Sequence, residues 1–86
     1  FEYQGQKCSA ASRAYIPASL WPTVKEKCVA MMAEMKQGDT RDFSNFVAAV
    51  IDKRAFERLK GAIDEAKSNA TIVAGGGYDD SKGWFI

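Results

Sequence analysis

Residues 52–68 read DKRAFERLKGAIDEAKS, and this stretch decides the fold. Asp52 stands where a helix N-cap is expected, because its carboxylate can accept a hydrogen bond from a free backbone N–H of the first turn. The apolar residues that follow recur at the three- and four-residue spacing of one helix face: Phe56, Leu59, Ile63 and Ala66. Charged side chains occupy the opposite face. The pattern therefore predicts an amphipathic helix over Asp52–Ser68 that packs through a single stripe.

A second helix is predicted on the N-terminal side, over Ser19–Lys36. Ser19 is its expected N-cap, and Pro22 lies in the first turn, where a missing N–H costs little. An apolar stripe follows at helical spacing, made of Leu20, Val24, Cys28, Met31 and Met35. This stripe assigns Cys28 to the core rather than to a reactive site.

Three short runs flank the helices and have the aromatic and β-branched composition of strands: Arg13–Ile16, Thr71–Ala74 and Trp84–Ile86. The order strand-helix-loop-helix-strand-turn-strand predicts an α/β fold in which both helix stripes pack on one sheet. The triple glycine at residues 75–77 is not followed by Lys-Ser or Lys-Thr, or by a helix start. It is therefore predicted to be a turn and not a phosphate-binding loop.

Composition limits the other possibilities. A chain of 86 residues buries only about 60 to 65% of its unfolded surface, so it holds at most one small domain. Both ends are apolar, and we expect the chain to be a piece of a longer protein. A net charge of +1 with interleaved signs gives no footprint for nucleic acid or an anionic membrane. Two cysteines without histidine fit neither a zinc site nor a secreted disulfide framework, and a reducing compartment agrees best with them.

Residues 1–13, FEYQGQKCSAASR, carry the candidate chemistry. Cys8 lies in a glycine-containing loop beside Lys7 and near Arg13, and backbone N–H groups and cations favour the nucleophilic thiolate form of cysteine. Cys8 is therefore the candidate catalytic residue. The alternative is an inert Cys8 in a non-catalytic α/β structural or interaction module. A redox role is disfavoured because the chain has no Cys-x-x-Cys pair.

The order of Phe1, Gly5-Gln6 and Cys8, with small residues after the cysteine, resembles the active-site signature of the aldehyde dehydrogenase superfamily. The resemblance continues along essentially the whole chain. Three segments are most similar to its delta-1-pyrroline-5-carboxylate dehydrogenase branch: Gly5–Ala10, Ser19–Pro22 and Val50–Asp52. It implies that residues 1–86 are part of the catalytic domain and that the NAD-binding domain lies outside this sequence.

The resemblance also implies a mechanism. Cys8 would attack the aldehyde carbon to give a thiohemiacetal, which passes hydride to NAD and becomes a thioester that water hydrolyses. The backbone N–H of Cys8 is one available donor to the oxyanion. The family's second donor, an asparagine, its general-base glutamate and its cofactor-binding residues lie outside this chain, so we expect the isolated chain to be inactive. No cofactor-binding or metal-binding residue is assigned here.

For the branch, the implied substrate is glutamate γ-semialdehyde, derived from pyrroline-5-carboxylate in proline catabolism, and the product is glutamate. Ser9, directly after the nucleophile, is expected to bind the carboxylate of the substrate. The resemblance further implies a homo-oligomer located in the mitochondrial matrix, with the cytoplasm as the alternative. Its expected partners are the small aldehyde and the remainder of the parent chain, with no nucleic acid and no membrane.

Overall fold

The computed structural model describes residues 2–86. It contains two α-helices, α1 at Trp21–Ala33 and α2 at Lys53–Asn69, preceded by a short 3-10 turn at Glu2–Gly5. Phe1, the aromatic residue at the start of the cysteine signature, lies outside the described residues. Among residues 2–86, neither helix combines the length and the apolarity that crossing a bilayer requires.

Helix α2 confirms its prediction to within one residue at each end. Asp52 is the N-cap, and its Oδ1 accepts a hydrogen bond from the Ala55 N–H at 2.7 Å. Phe56 is only 2% exposed, and the rest of the stripe, Leu59, Ile63 and Ala66, is half-buried. The local signals of cap and periodicity were therefore sufficient for this helix.

Tyr78 covers the buried face of α2. Its ring meets Phe56 edge-on, with centroids 6.2 Å apart, and its hydroxyl donates to Asp64 Oδ1 at 3.0 Å. The ammonium groups of Lys60 and Lys67 lie 5.2 and 4.9 Å from the ring centre. The Tyr78 hydrogen bond, reinforced by both lysines, holds the pKa of Asp64 below its ordinary value of 3.8. These contacts dock the C-terminal segment on α2.

The start of α1 differs from the prediction. Its N-cap is Leu20 and not Ser19, and no side chain caps it. The carbonyl of Pro17 accepts hydrogen bonds from the N–H groups of both Leu20, at 2.9 Å, and Trp21, at 3.1 Å. The backbone thus supplies the turn into the helix, and Ser19 lies inside that turn.

The end of α1 also differs, because the helix stops at Ala33 and not at Lys36. The Lys36 carbonyl accepts hydrogen bonds from the N–H groups of Phe46, at 2.8 Å, and Val47, at 3.1 Å. Gln37 and Val47 consequently form an isolated parallel bridge. Pairing with a segment ten residues further on draws the chain away from the helix axis.

The apolar stripe of α1 is not covered within the described residues. No residue of α1 is buried, Met31 is 63% exposed, and Cys28 is exposed as well. Helices α1 and α2 do not pack against each other. The prediction that both stripes share one sheet is therefore wrong for residues 2–86.

The three predicted strands are not formed in the part of the chain that the structure describes. Neither Arg13–Ile16 nor Thr71–Ala74 has a hydrogen-bonded neighbour there. Within Trp84–Ile86, Phe85 forms an isolated antiparallel bridge with Asp79. The Trp84 and Ile86 carbonyls each accept one hydrogen bond, from the Val50 N–H and the Gln37 side chain, and no ladder results. A β-strand requires backbone hydrogen bonds to a neighbouring strand, and these runs have no extended partner among residues 2–86. The predicted order of strands and helices is thus not confirmed by this chain.

Candidate functional site

The cysteine loop, which we define as residues 4–10, presents the two predicted site residues together. The Ala10 N–H donates to the Lys7 carbonyl at 3.1 Å and closes a turn with Cys8 and Ser9 at its two central positions. Both side chains are exposed in this chain. The structure thus places the candidate nucleophile and the candidate substrate contact side by side at the tip of one turn.

The backbone just before this tip has an uncommon conformation. Tyr3, Gln4 and Gly5 have φ angles of +54°, +57° and +70°. Glycine adopts this left-handed region freely, but each of the other two residues is disfavoured there by roughly 1–2 kcal/mol. Additional contacts must therefore hold the loop in this shape.

Two glutamine side chains provide those contacts, and we call them the amide clamp. The Gln6 Oε1 accepts from the Ile51 N–H at 3.2 Å, and its Nε2 donates to the Tyr3 carbonyl at 3.3 Å. With its oxygen turned toward the Ala48 N–H, the Gln4 amide accepts at 2.6 Å and donates to the same Tyr3 carbonyl at 3.2 Å. The clamp joins the cysteine loop to the segment that leads into α2.

The charges near the thiol are arranged differently from the sequence-based expectation. The Lys7 ammonium forms an ion pair with Glu2 at 2.8 Å, so its charge is already partnered. Arg13 is exposed and pairs with no acidic group in residues 2–86. The cation next to the candidate nucleophile is therefore shared with Glu2 in the described structure.

Two polar groups at the tip are available for a substrate. Within residues 2–86, the Cys8 N–H donates to no carbonyl, and the Ser9 hydroxyl forms no hydrogen bond. A free N–H on the nucleophile can stabilise a developing oxyanion, and a free hydroxyl can donate to a carboxylate. The geometry agrees with the chemistry expected of both residues.

The second cysteine lies elsewhere. Cys28 is on α1 and lines an open, mainly apolar groove of about 320 Å³ between that helix and residues 71–74. The prediction that Cys28 belongs to the core is wrong in this chain, because the described residues supply nothing that closes the groove.

The described residues do not fit a dinucleotide cofactor. Such phosphates are usually held where a glycine-rich loop opens a helix. Asp52 already places a carboxylate at the start of α2, and α1 begins after a turn at Pro17 without glycine. Gly75 and Gly76 have φ angles of +72° and +79°, but no helix follows them. No group of three or more His, Cys, Asp or Glu side chains in residues 2–86 could hold a metal ion.

Sequence reasoning did not identify the amide clamp. Gln6 stands out in the sequence only as part of the cysteine signature, and its backbone partner at Ile51 is 45 residues away. A signal was nevertheless present, because an uncharged amide two positions before a candidate nucleophile can both donate to and accept from backbone groups.

Comparison with known proteins places the chain in a family. Residues 1–86 match the aldehyde dehydrogenase family. The chain is 54% identical over 88 residues to the mitochondrial delta-1-pyrroline-5-carboxylate dehydrogenase of Dictyostelium discoideum, and 48% identical over 89 residues to the human protein of that name. Each alignment covers 100% of this chain and 16% of the relative.

A solved structure agrees with these matches. The crystal structure of the delta-pyrroline-5-carboxylate dehydrogenase from Mycobacterium tuberculosis, bound with NAD and cobalamin, superposes with a TM-score of 0.89 at 49% identity. The superposition covers 98% of this chain and 16% of that one. This likeness supports a segment of an α/β aldehyde dehydrogenase domain, although the segment itself is mainly helical. Since the family match runs from the first residue to the last, the chain belongs to the aldehyde dehydrogenase family.

Proposed function

We propose that this chain supplies the catalytic cysteine of an NAD-dependent aldehyde dehydrogenase that oxidises glutamate γ-semialdehyde to glutamate in proline catabolism. The observation that carries the proposal is the turn at Lys7–Ala10, which presents Cys8 and Ser9 side by side with their polar groups free. The names of the relatives support the substrate, and the NAD-bound structure of the Mycobacterium tuberculosis enzyme supports the cofactor. Residues 1–86 are then part of a catalytic domain, and the NAD-binding domain belongs to the remainder of the parent protein.

The chain's own chemistry is the first step. The Cys8 thiolate attacks the aldehyde carbon, a carbon–sulfur bond forms, and the carbonyl π electrons move onto oxygen. The Cys8 N–H is positioned to donate to that oxyanion, and the enzyme needs a second donor from outside this chain. NAD, bound by other parts of the parent protein, supplies the hydride acceptor. Release of the acyl group requires a general base that this chain does not provide.

Ser9 gives the proposed site its selectivity. Its hydroxyl, directly beside the nucleophile, donates to the carboxylate at the far end of glutamate γ-semialdehyde. That contact distinguishes this substrate from simple aliphatic aldehydes.

The relatives also support a cellular location and an oligomeric state for the parent protein. The names of the Dictyostelium and human proteins support a mitochondrial location, and we propose the matrix as the compartment. The family resemblance supports a homo-oligomer.

The test is turnover by the full-length parent enzyme, followed as NADH formation from glutamate γ-semialdehyde. Loss of the nucleophile in Cys8→Ala should lower kcat by at least about a thousandfold. Cys28→Ala is the matched control, because it removes the other thiol, and it should stay within about twofold of wild type. Substantial turnover by Cys8→Ala would refute the proposal.

A further inference from the structure

We infer that Gln6, assisted by Gln4, is a positioning residue that fixes the location of the Cys8 thiol for attack on the aldehyde. The inference rests on the proposed function, because it concerns the same nucleophile. Gln6 does not touch the reacting atoms. It acts by fastening the loop that carries them.

The backbone of the cysteine loop cannot fix its own place. Its backbone hydrogen bonds within residues 2–86 are local: Gln6 N–H to the Tyr3 carbonyl and Ala10 N–H to the Lys7 carbonyl, both at 3.1 Å. Such bonds define the shape of the turns but leave the loop free to move as a unit. The clamp amides of Gln4 and Gln6 form the hydrogen bonds that tie the described loop to a distant segment.

The anchor of the clamp is itself held by the fold. Val50, which lies between the anchoring residues Ala48 and Ile51, is 4% exposed, and its own N–H donates to the Trp84 carbonyl at 2.8 Å. Asp52 immediately afterwards caps α2. A loop fastened at Ala48 and Ile51 is thus fastened to the start of a helix and to the C-terminal segment.

Position has a direct effect on catalysis at this site. Attack requires the sulfur and the carbonyl carbon to approach in an aligned geometry, and a displacement of about 1 Å can cost about a hundredfold in rate. Gln6 is two residues from Cys8, so release of its amide frees the part of the loop that carries the thiol. The loss should appear in kcat rather than in KM, because the substrate still reaches the site.

The experiment uses the full-length parent enzyme and Gln6→Leu, which preserves side-chain size and removes both the donor and the acceptor. Gln37→Leu is the matched control. The Gln37 Nε2 also ties distant parts of the chain, donating to the Ile86 carbonyl at 2.9 Å, but it lies outside the cysteine loop. Gln6→Leu should lower kcat by about 10- to 100-fold with KM within about threefold. Gln37→Leu should leave kcat within about twofold while lowering Tm to a similar extent.

Two further variants separate position from folding. Gln6→Glu retains an oxygen that accepts from the Ile51 N–H but loses the donor to the Tyr3 carbonyl, so it should recover only part of the lost kcat. Gln4→Leu, which removes the other half of the clamp, should shift kcat in the same direction as Gln6→Leu. A kcat loss in Gln6→Leu that is no larger than in Gln37→Leu, or a loss confined to KM, would overturn the inference.

A second readout requires no aldehyde. Hydrogen–deuterium exchange of the peptide that carries Cys8, followed by mass spectrometry, should be several-fold faster in Gln6→Leu than in wild type, because the released loop moves more freely, and unchanged in Gln37→Leu. Equal exchange in the two variants would overturn the positioning role. If wild type fails to oxidise glutamate γ-semialdehyde, the proposed function falls, and this exchange comparison alone decides the role of Gln6.

Discussion

At the scale of single residues, Cys8 and Ser9 share one turn, and we propose a different task for each of them. The Ser9 hydroxyl is free of partners within residues 2–86, so it can donate to the substrate carboxylate. A hydrogen bond to a charged group contributes about 1.5 to 3 kcal/mol, so Ser9→Ala in the parent enzyme should lower kcat/KM for glutamate γ-semialdehyde by roughly 10- to 150-fold. An aliphatic aldehyde without a carboxylate is the control substrate. Equal losses for both substrates would show that Ser9 only packs beside the nucleophile.

The two thiols of this chain allow a second residue-scale prediction. Both cysteines are exposed here, so access does not favour either of them. If the turn stabilises the Cys8 thiolate, Cys8 in the 86-residue chain should be alkylated at neutral pH about tenfold faster than Cys28. Competitive labelling and peptide mass spectrometry measure the ratio, and concentrated urea should bring it close to one. A ratio near one without urea would favour an inert Cys8.

The candidate site residues differ from their anchors in how far the sequence can indicate them. Cys8 and Ser9 could be proposed from the sequence because their signature is contiguous. The clamp partners Ala48 and Ile51 contribute only backbone N–H groups, which have no side-chain signature, and they are brought to the loop by the fold.

At the scale of elements, α2 is the helix whose formation depends most on contacts between residues close in sequence. Isolated helices of this length are marginal in water, and an N-cap aspartate contributes about 1 kcal/mol. In a peptide of residues 51–70, Asp52→Ala should therefore reduce helicity clearly in far-UV circular dichroism. Ser68→Ala is the control, since its hydroxyl only reaches back to the Asp64 carbonyl at 3.4 Å. Equal helicity in the Asp52→Ala and unmodified peptides would contradict the capping role.

The other elements depend on contacts that a local sequence pattern does not reveal, and their predictions were less accurate for that reason. The ends of α1 depend on the Pro17 carbonyl and on pairing of Lys36 with residues 46 and 47, and neither contact has a periodic signal. The strand compositions were recognisable, but composition cannot supply the neighbouring strand. At the triple glycine, Gly75 and Gly76 have positive φ angles, but no hydrogen-bonded turn closes there among the described residues, so the predicted turn is not confirmed.

At the scale of the whole molecule, the chain exposes more surface than a compact protein of its size. Its accessible surface is 7100 Å², whereas a folded monomer of 9.4 kDa exposes about 5,000 Å². Its radius of gyration is 14.0 Å, against about 12 Å for a compact domain of this length. Phe43, Tyr15 and Ile51 are 96%, 88% and 71% exposed. These values support the proposal that the rest of a longer chain completes the core.

The same proposal predicts an inactive isolated chain. Hydride transfer needs a positioned nicotinamide and deacylation needs a base, and residues 2–86 fit no dinucleotide. A verified 86-residue sample with NAD and glutamate γ-semialdehyde should therefore form no NADH above a protein-free control. Turnover by this sample would place the missing groups within the chain.

The open groove beside α1 has a consequence for the growing polypeptide on the ribosome. Its other wall begins at Thr71, 38 residues after the helix ends at Ala33 (71 − 33). At about 5 to 20 residues per second, roughly 2 to 8 seconds pass between synthesis of the two walls. During that time the apolar side of α1, with Trp21 and Met32, is open to any holding chaperone that scans nascent chains.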